Sequence, residues 1–137
     1  MSSPVVLCID DRPGFLNIRK TALEKCGYSV EIASNTTTAI KMLENCSVAA
    51  VLVDYKAEGM DSQAVAYHIK QRYPNQPVIL LSAYSCMPES ILWLVDEYVM
   101  KSEPLERLAQ VIERVTGASA KKRPKSAKAL NSRAGTA

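Results

Sequence analysis

Asp10 and Asp11 follow an apolar run, Val5-Val6-Leu7-Cys8-Ile9, and Asp54 ends a second run, Ala49-Ala50-Val51-Leu52-Val53. Ser82 ends a third, Val78-Ile79-Leu80-Leu81, and Lys101 follows Glu97-Tyr98-Val99-Met100. Three carboxylates brought together would repel and raise one another's pKa unless a cation joined them. Such hard oxygen donors suit Mg²⁺, which takes a few carboxylates and keeps waters that a phosphoryl oxygen can replace. An ammonium and a hydroxyl opposite the metal would supply positive charge and a hydrogen bond to that phosphoryl group. Asp54, flanked by both sets, is then placed as a nucleophile toward phosphorus, giving an acyl phosphate.

This chemistry needs the ends of several strands at one edge. Short apolar runs alternate with amphipathic stretches along the chain, and Ser29–Ala33 adds a fifth strand with Val30 and Ile32 on one face. Runs one, three and four of the five are continuously apolar, as in a parallel sheet covered on both faces. Phe15, Ile18, Ala22 and Leu23 mark a first helix, with Pro13 near its start and Gly27 at its stop. Ala39, Ile40 and Leu43 mark a second, capped by Asn35 or Thr36. Ala64, Val65, His68 and Ile69 mark a third, with Asp61 or Ser62 as its cap. Ile91, Leu92 and Val95 mark a short fourth, and Leu105, Leu108, Ala109, Ile112 and Val115 a fifth. Five β–α units predict an α/β, doubly wound, five-stranded parallel sheet. In the common order 2-1-3-4-5, the switch point falls between strands one and three, which carry Asp10, Asp11 and Asp54.

The 137 residues suit one domain. Residues 1–117 hold eleven basic and fourteen acidic side chains, a net −3, whereas residues 118–137 hold six basic and no acidic ones. The expectation is a domain over 1–117 and a basic, disordered tail over 118–137, with weak attraction to nucleic acid through the tail alone. Met1-Ser2-Ser3-Pro4 carries no charged segment before an apolar run, so the expectation is of no secretory signal, and no apolar stretch has membrane-spanning length. Cys8, Cys26, Cys46 and Cys86 form no Cys-x-x-Cys pair and read as reduced core thiols of a cytoplasmic protein.

Over roughly residues 4–116 the sequence resembles the receiver domains of two-component response regulators, including the single-domain chemotaxis regulator. The resemblance rests on Asp10-Asp11, the segment Asp54-Tyr55-Lys56-Ala57-Glu58-Gly59-Met60-Asp61, Ser82-Ala83 and Tyr98-Val99-Met100-Lys101, in this order on successive strands. It implies the flavodoxin-like receiver fold. It implies that Asp54 accepts a phosphoryl group from a histidine kinase or phosphotransfer protein, and that Asp10 and Asp11 hold Mg²⁺. The backbone carbonyl at Lys56 completes the protein ligands, Ser82 and Lys101 contact the phosphoryl group, and Tyr98 is an aromatic switch. Three positions depart from the family pattern: Glu58 stands for a proline, Ser62 for a glycine, and Lys101-Ser102-Glu103-Pro104 for Lys-Pro. The last leaves open whether the Lys101–Ser102 bond is cis.

The expected function is therefore a single-domain, cytoplasmic phosphoprotein of a phosphorelay, catalysing only its own phosphorylation and dephosphorylation and signalling through an unknown output protein. The alternative is a pseudo-receiver that acts by contact without phosphate. A small Mg²⁺-dependent phosphatase is disfavoured because the chain lacks room for a cap domain. Several side chains carry two readings. Arg12 is a solvated charge or a phosphate-steering one, and Lys56 is solvated or reaches the pocket. Tyr84 is a surface ring or a gate. Trp93 belongs to the core or a partner contact, and His68 is structural.

Overall fold

The computed structural model describes residues 3–55 and 61–116. Lys56, Glu58 and the expected boundary and tail from residue 117 onward lie outside the described residues. Ten elements alternate: β1 (Val5–Ile9), α1 (Pro13–Lys25), β2 (Ser29–Ala33), α2 (Thr36–Asn45), β3 (Ala50–Asp54), α3 (Ser62–Arg72), β4 (Val78–Ser82), α4 (Glu89–Leu92), β5 (Glu97–Met100) and α5 (Leu105–Val115). The strands form one parallel sheet in the order β2-β1-β3-β4-β5. No described helix is long and apolar enough to cross a membrane.

Strand alternation divides the core into two layers. Val6, Cys8, Leu52, Ile79, Leu81 and Val99 pack with Leu23 of α1 and with Leu108, Val111 and Ile112 of α5. Leu7, Ile9, Val51, Val53 and Leu80 pack on the other face with Ala39, Leu43, Val65, Ile69 and Ile91 of α2, α3 and α4. β3 and β4 are buried along their whole length, which is why their runs carry no polar alternation.

Three sequence expectations change. Ile18 is 69% exposed rather than part of the core. Only Cys8 is buried, where its thiol is pushed up to about 12 by desolvation; Cys26, Cys46 and Cys86 are exposed, and all four are free. Val95 lies beyond α4, which is a single turn. Trp93 and His68 are exposed, so neither contributes a ring to the core. The helix caps settle on Asn35, whose side chain accepts from Thr38 N, and on Asp61, whose side chain accepts from Ala64 N.

α1 ends in a Schellman turn. Gly27 N donates to Glu24 O and Tyr28 N to Leu23 O, with Gly27 at φ 99°. A Cβ there would meet no atom within 4 Å, so the left-handed backbone alone opposes a side chain. Gly27→Ala is expected to cost about 1 kcal/mol, read as a lower urea midpoint at unchanged m-value.

Candidate phosphoacceptor site

The sheet register brings the polar strand ends together. Ile9 pairs with Val53, Asp54 with Leu81, and Ser82 with Met100. Asp10 and Lys101 each come one residue after their strand. Asp10 N donates to Ala33 O, Tyr55 N to Leu81 O and Lys101 N to Ser82 O, so the ladder continues through the site. Asp10, Asp54 and Ser82 are all buried, at 0%, 1% and 0% exposure. Buried carboxylates need partners. Lys101 Nζ forms an ion pair with Asp54 Oδ1. Arg12 Nη2 donates to Asp54 Oδ2 at 2.9 Å and its Nε to Asp10 Oδ1 at 3.4 Å. Arg19 Nη1, on α1, stands 3.7 Å from Asp10 Oδ2. Desolvation pulls the Arg12 pKa down, but the hydrogen bonds and charges of Asp10 and Asp54 outweigh it and raise it.

The predicted trio of carboxylates is therefore a buried pair. Asp11 is exposed, and among the described residues no three acidic, histidine or cysteine side chains gather closely enough to hold a metal ion. Beside Asp10 and Asp54 stand instead the charges of Arg12, Arg19 and Lys101. The donor set still fits Mg²⁺ in chemistry: Asp10 and Asp54 are buried carboxylates and supply hard oxygen donors.

Ser82 Oγ accepts from Tyr84 N at 2.9 Å. The Tyr98 hydroxyl donates to the Tyr84 carbonyl. Tyr84 is 50% exposed and meets the Tyr55 ring edge-on, with centroids 6.0 Å apart. Burial raises the Tyr98 pKa and outweighs the lowering effect of the Ser82 hydroxyl. After β5, Met100 N donates to Glu103 Oε2 at 2.9 Å, and Glu103 N donates to Met100 O at 3.0 Å. This reciprocal closure shapes the turn in which the family pattern has Lys-Pro. Every described peptide bond is trans, Lys101–Ser102 included.

Two contributors escaped the sequence reading. Ser62, a cap candidate and a departure from the family's glycine, is buried and its Oγ donates to Asp54 O at 2.6 Å, tying the start of α3 to the end of β3. Arg19 carried no signal beyond lying seven residues after Arg12, about two helical turns along.

A model of the response regulator receiver domain matches residues 6–113. An NtrX-like response regulator of Rickettsia bellii is 34% identical over 93 residues, which are 66% of this chain and 20% of that protein. The sensor protein GacS of Pseudomonas syringae is 28% identical over 123 residues, 84% of this chain and 14% of that protein. The chain thus spans about a fifth or less of the curated relatives it matches. Among solved structures, the response regulator TrrA of Thermotoga maritima in complex with Mg²⁺–BeF is similar at 28% identity and a TM-score of 0.74, over 82% of this chain and 98% of that one. TrrA in complex with the histidine kinase ThkA is similar at 29% identity and a TM-score of 0.73, over 82% and 97% of the two chains. With the fold, the aligned strand ends and the family match over most of its length, the chain belongs to the response regulator receiver domain family.

Proposed function

We propose that Asp54 accepts a phosphoryl group from a histidine kinase or phosphotransfer protein, in an Mg²⁺-dependent reaction, and that the phosphorylated domain signals in the cytoplasm through a protein partner. One observation carries the reading: Asp54 is a buried carboxylate with a cation at each oxygen, Lys101 at Oδ1 and Arg12 at Oδ2, beside buried Ser82 and Asp10. Asp10 and Asp54 would hold the metal together with the Lys56 carbonyl and with Asp11, which would turn in from its exposed position; the metal would supply charge neutralisation at the phosphoryl oxygens. An Asp54 carboxylate oxygen forms the new bond to phosphorus while the bond to the donor breaks, and the donor keeps that electron pair. Lys101 and the Ser82 hydroxyl then face the phosphoryl oxygens as cation and donor. The kinase partner is supported by similarity to TrrA, which forms a complex with the kinase ThkA.

The contact-only pseudo-receiver draws support from one observation, the arginine already seated between the two carboxylates. Labelled acetyl phosphate separates the two readings. Near-stoichiometric incorporation that needs Mg²⁺ and is stripped by hydroxylamine is expected for an acyl phosphate. No incorporation at millimolar Mg²⁺ would leave the contact-only reading standing.

A further inference from the structure

We propose that Arg12 is a built-in cation that occupies the divalent ion's place between Asp10 and Asp54 and must leave before that ion enters. The proposal rests on the reading that this pocket takes Mg²⁺. Arg12 follows the acidic pair directly and, in extended conformation, is the N-cap residue of α1. Its planar fork spans both buried carboxylates, 3.4 Å from Asp10 Oδ1 and 2.9 Å from Asp54 Oδ2. A guanidinium suits this, because it is always charged and presents several donors in one plane.

Charge shows why it must move. Among the described residues, Arg12, Arg19 and Lys101 stand against the two buried carboxylates, with Asp11 exposed beside them. A divalent ion added to that set would meet strong repulsion at low local dielectric. Of the three cations, Arg12 is the one most open to water, with its side chain 39% exposed against 14% for Arg19 and 25% for Lys101. Its departure therefore carries the smallest desolvation change and returns a guanidinium to solvent. Asp10 stays held, because the Arg12 backbone N–H donates to Asp10 Oδ1 at 3.0 Å whatever the side chain does. Mg²⁺ binding is then a competition, and the pocket keeps its charge balance without metal.

The test is an Mg²⁺ titration of the full chain, followed by the amide resonances of residues 9–12 and 53–55. Arg12→Met keeps an unbranched apolar stem and removes the charge. It should bind Mg²⁺ about tenfold more tightly than wild type. Saturating Mg²⁺ should also raise its melting temperature by more than it raises that of wild type. Arg12→Lys, which keeps a charge without the fork, should fall between. Arg72→Met removes a remote charge that pairs with Glu44 and should leave the affinity unchanged. Equal tightening in Arg72→Met would show a net-charge effect and overturn the proposal. Equal binding by wild type and Arg12→Met overturns it while sparing the metal site. Absence of binding in both overturns it together with the metal half of the proposed function.

Discussion

Phosphate uptake from acetyl phosphate should fall to background in an Asp54→Asn protein, and about 10²–10³-fold in Lys101→Met. Asparagine keeps the shape of the buried carboxylate and removes the anionic nucleophile that lies between the Arg12 and Lys101 charges. Lys101→Met leaves the nucleophile in place and removes a pre-organised cation from the side on which phosphoryl charge must be met. Each variant also breaks a buried pair, so each should lose about 1–3 kcal/mol of stability. A rate effect must therefore be separated from a folding effect. Lys70 supplies the control. Its Nζ pairs with Asp96 Oδ2 at 2.7 Å and donates to Gln76 O at 2.6 Å, at the start of β4 rather than its end. Lys70→Met should lower the melting temperature similarly and leave the rate of uptake unchanged. If Lys70→Met slows uptake as much as Lys101→Met, Lys101 acts only through stability. Full uptake by Asp54→Asn would move the acceptor elsewhere.

The strands were readable because a parallel sheet covered on both faces demands continuous apolar runs, and few other structures of that length do. The polar residues closing those runs were readable for the same reason: a buried strand must end where the chain meets water or a ligand. Helix α1 is less legible in the sequence. Ile18 and Leu23 are five residues apart, about 140° around the helix, and cannot share one face. Leu23 takes the core. Ile18, with Ala22, instead borders a cleft lined also by Leu105 at the start of α5. The cysteines misled because lying beside an apolar segment means lying at its end. Cys26 and Cys46 are the residues that follow α1 and α2, where the chain turns outward. Of the acids, the buried Asp10 and Asp54 are legible in the sequence, the exposure of Asp11 is not, and the bases are legible only in part. A carboxylate at a strand end is placed by the sheet alone. Where the guanidiniums of Arg12 and Arg19 reach depends on how α1 leaves β1, and no spacing rule encodes that.

Binding of a beryllofluoride mimic with Mg²⁺ should shift backbone resonances across residues 83–105 and leave β2 and α2, residues 28–45, nearly unmoved. The path is a short chain of hydrogen bonds. Ser82 Oγ holds Tyr84 N, and the Tyr84 carbonyl holds the Tyr98 hydroxyl. A phosphoryl group on Asp54 gives the Ser82 hydroxyl a charged acceptor, a stronger partner than any neutral group around it. Drawing Ser82 toward Asp54 pulls on Tyr84 N, shifts the Tyr84 carbonyl and releases the half-buried Tyr98 ring to turn inward. The segment that must yield contains α4, a single turn of four residues with Ile91 as its buried anchor, so little packing opposes the change. One charge event at Asp54 thereby biases a two-state face, which needs only a few kcal/mol of differential interaction. Tyr98→Phe isolates the link. Losing the hydroxyl removes one hydrogen bond from the resting state, about 0.5–1.5 kcal/mol. Its unphosphorylated spectrum should therefore lie part of the way toward that of the mimic-bound wild type, because the resting population is less favoured. If Tyr98→Phe leaves residues 83–105 at their wild-type positions, the hydroxyl does not hold the resting state. If the mimic shifts only the immediate neighbours of Asp54 in wild type, phosphate arrives without moving this face, and the domain passes phosphate on rather than switching with it.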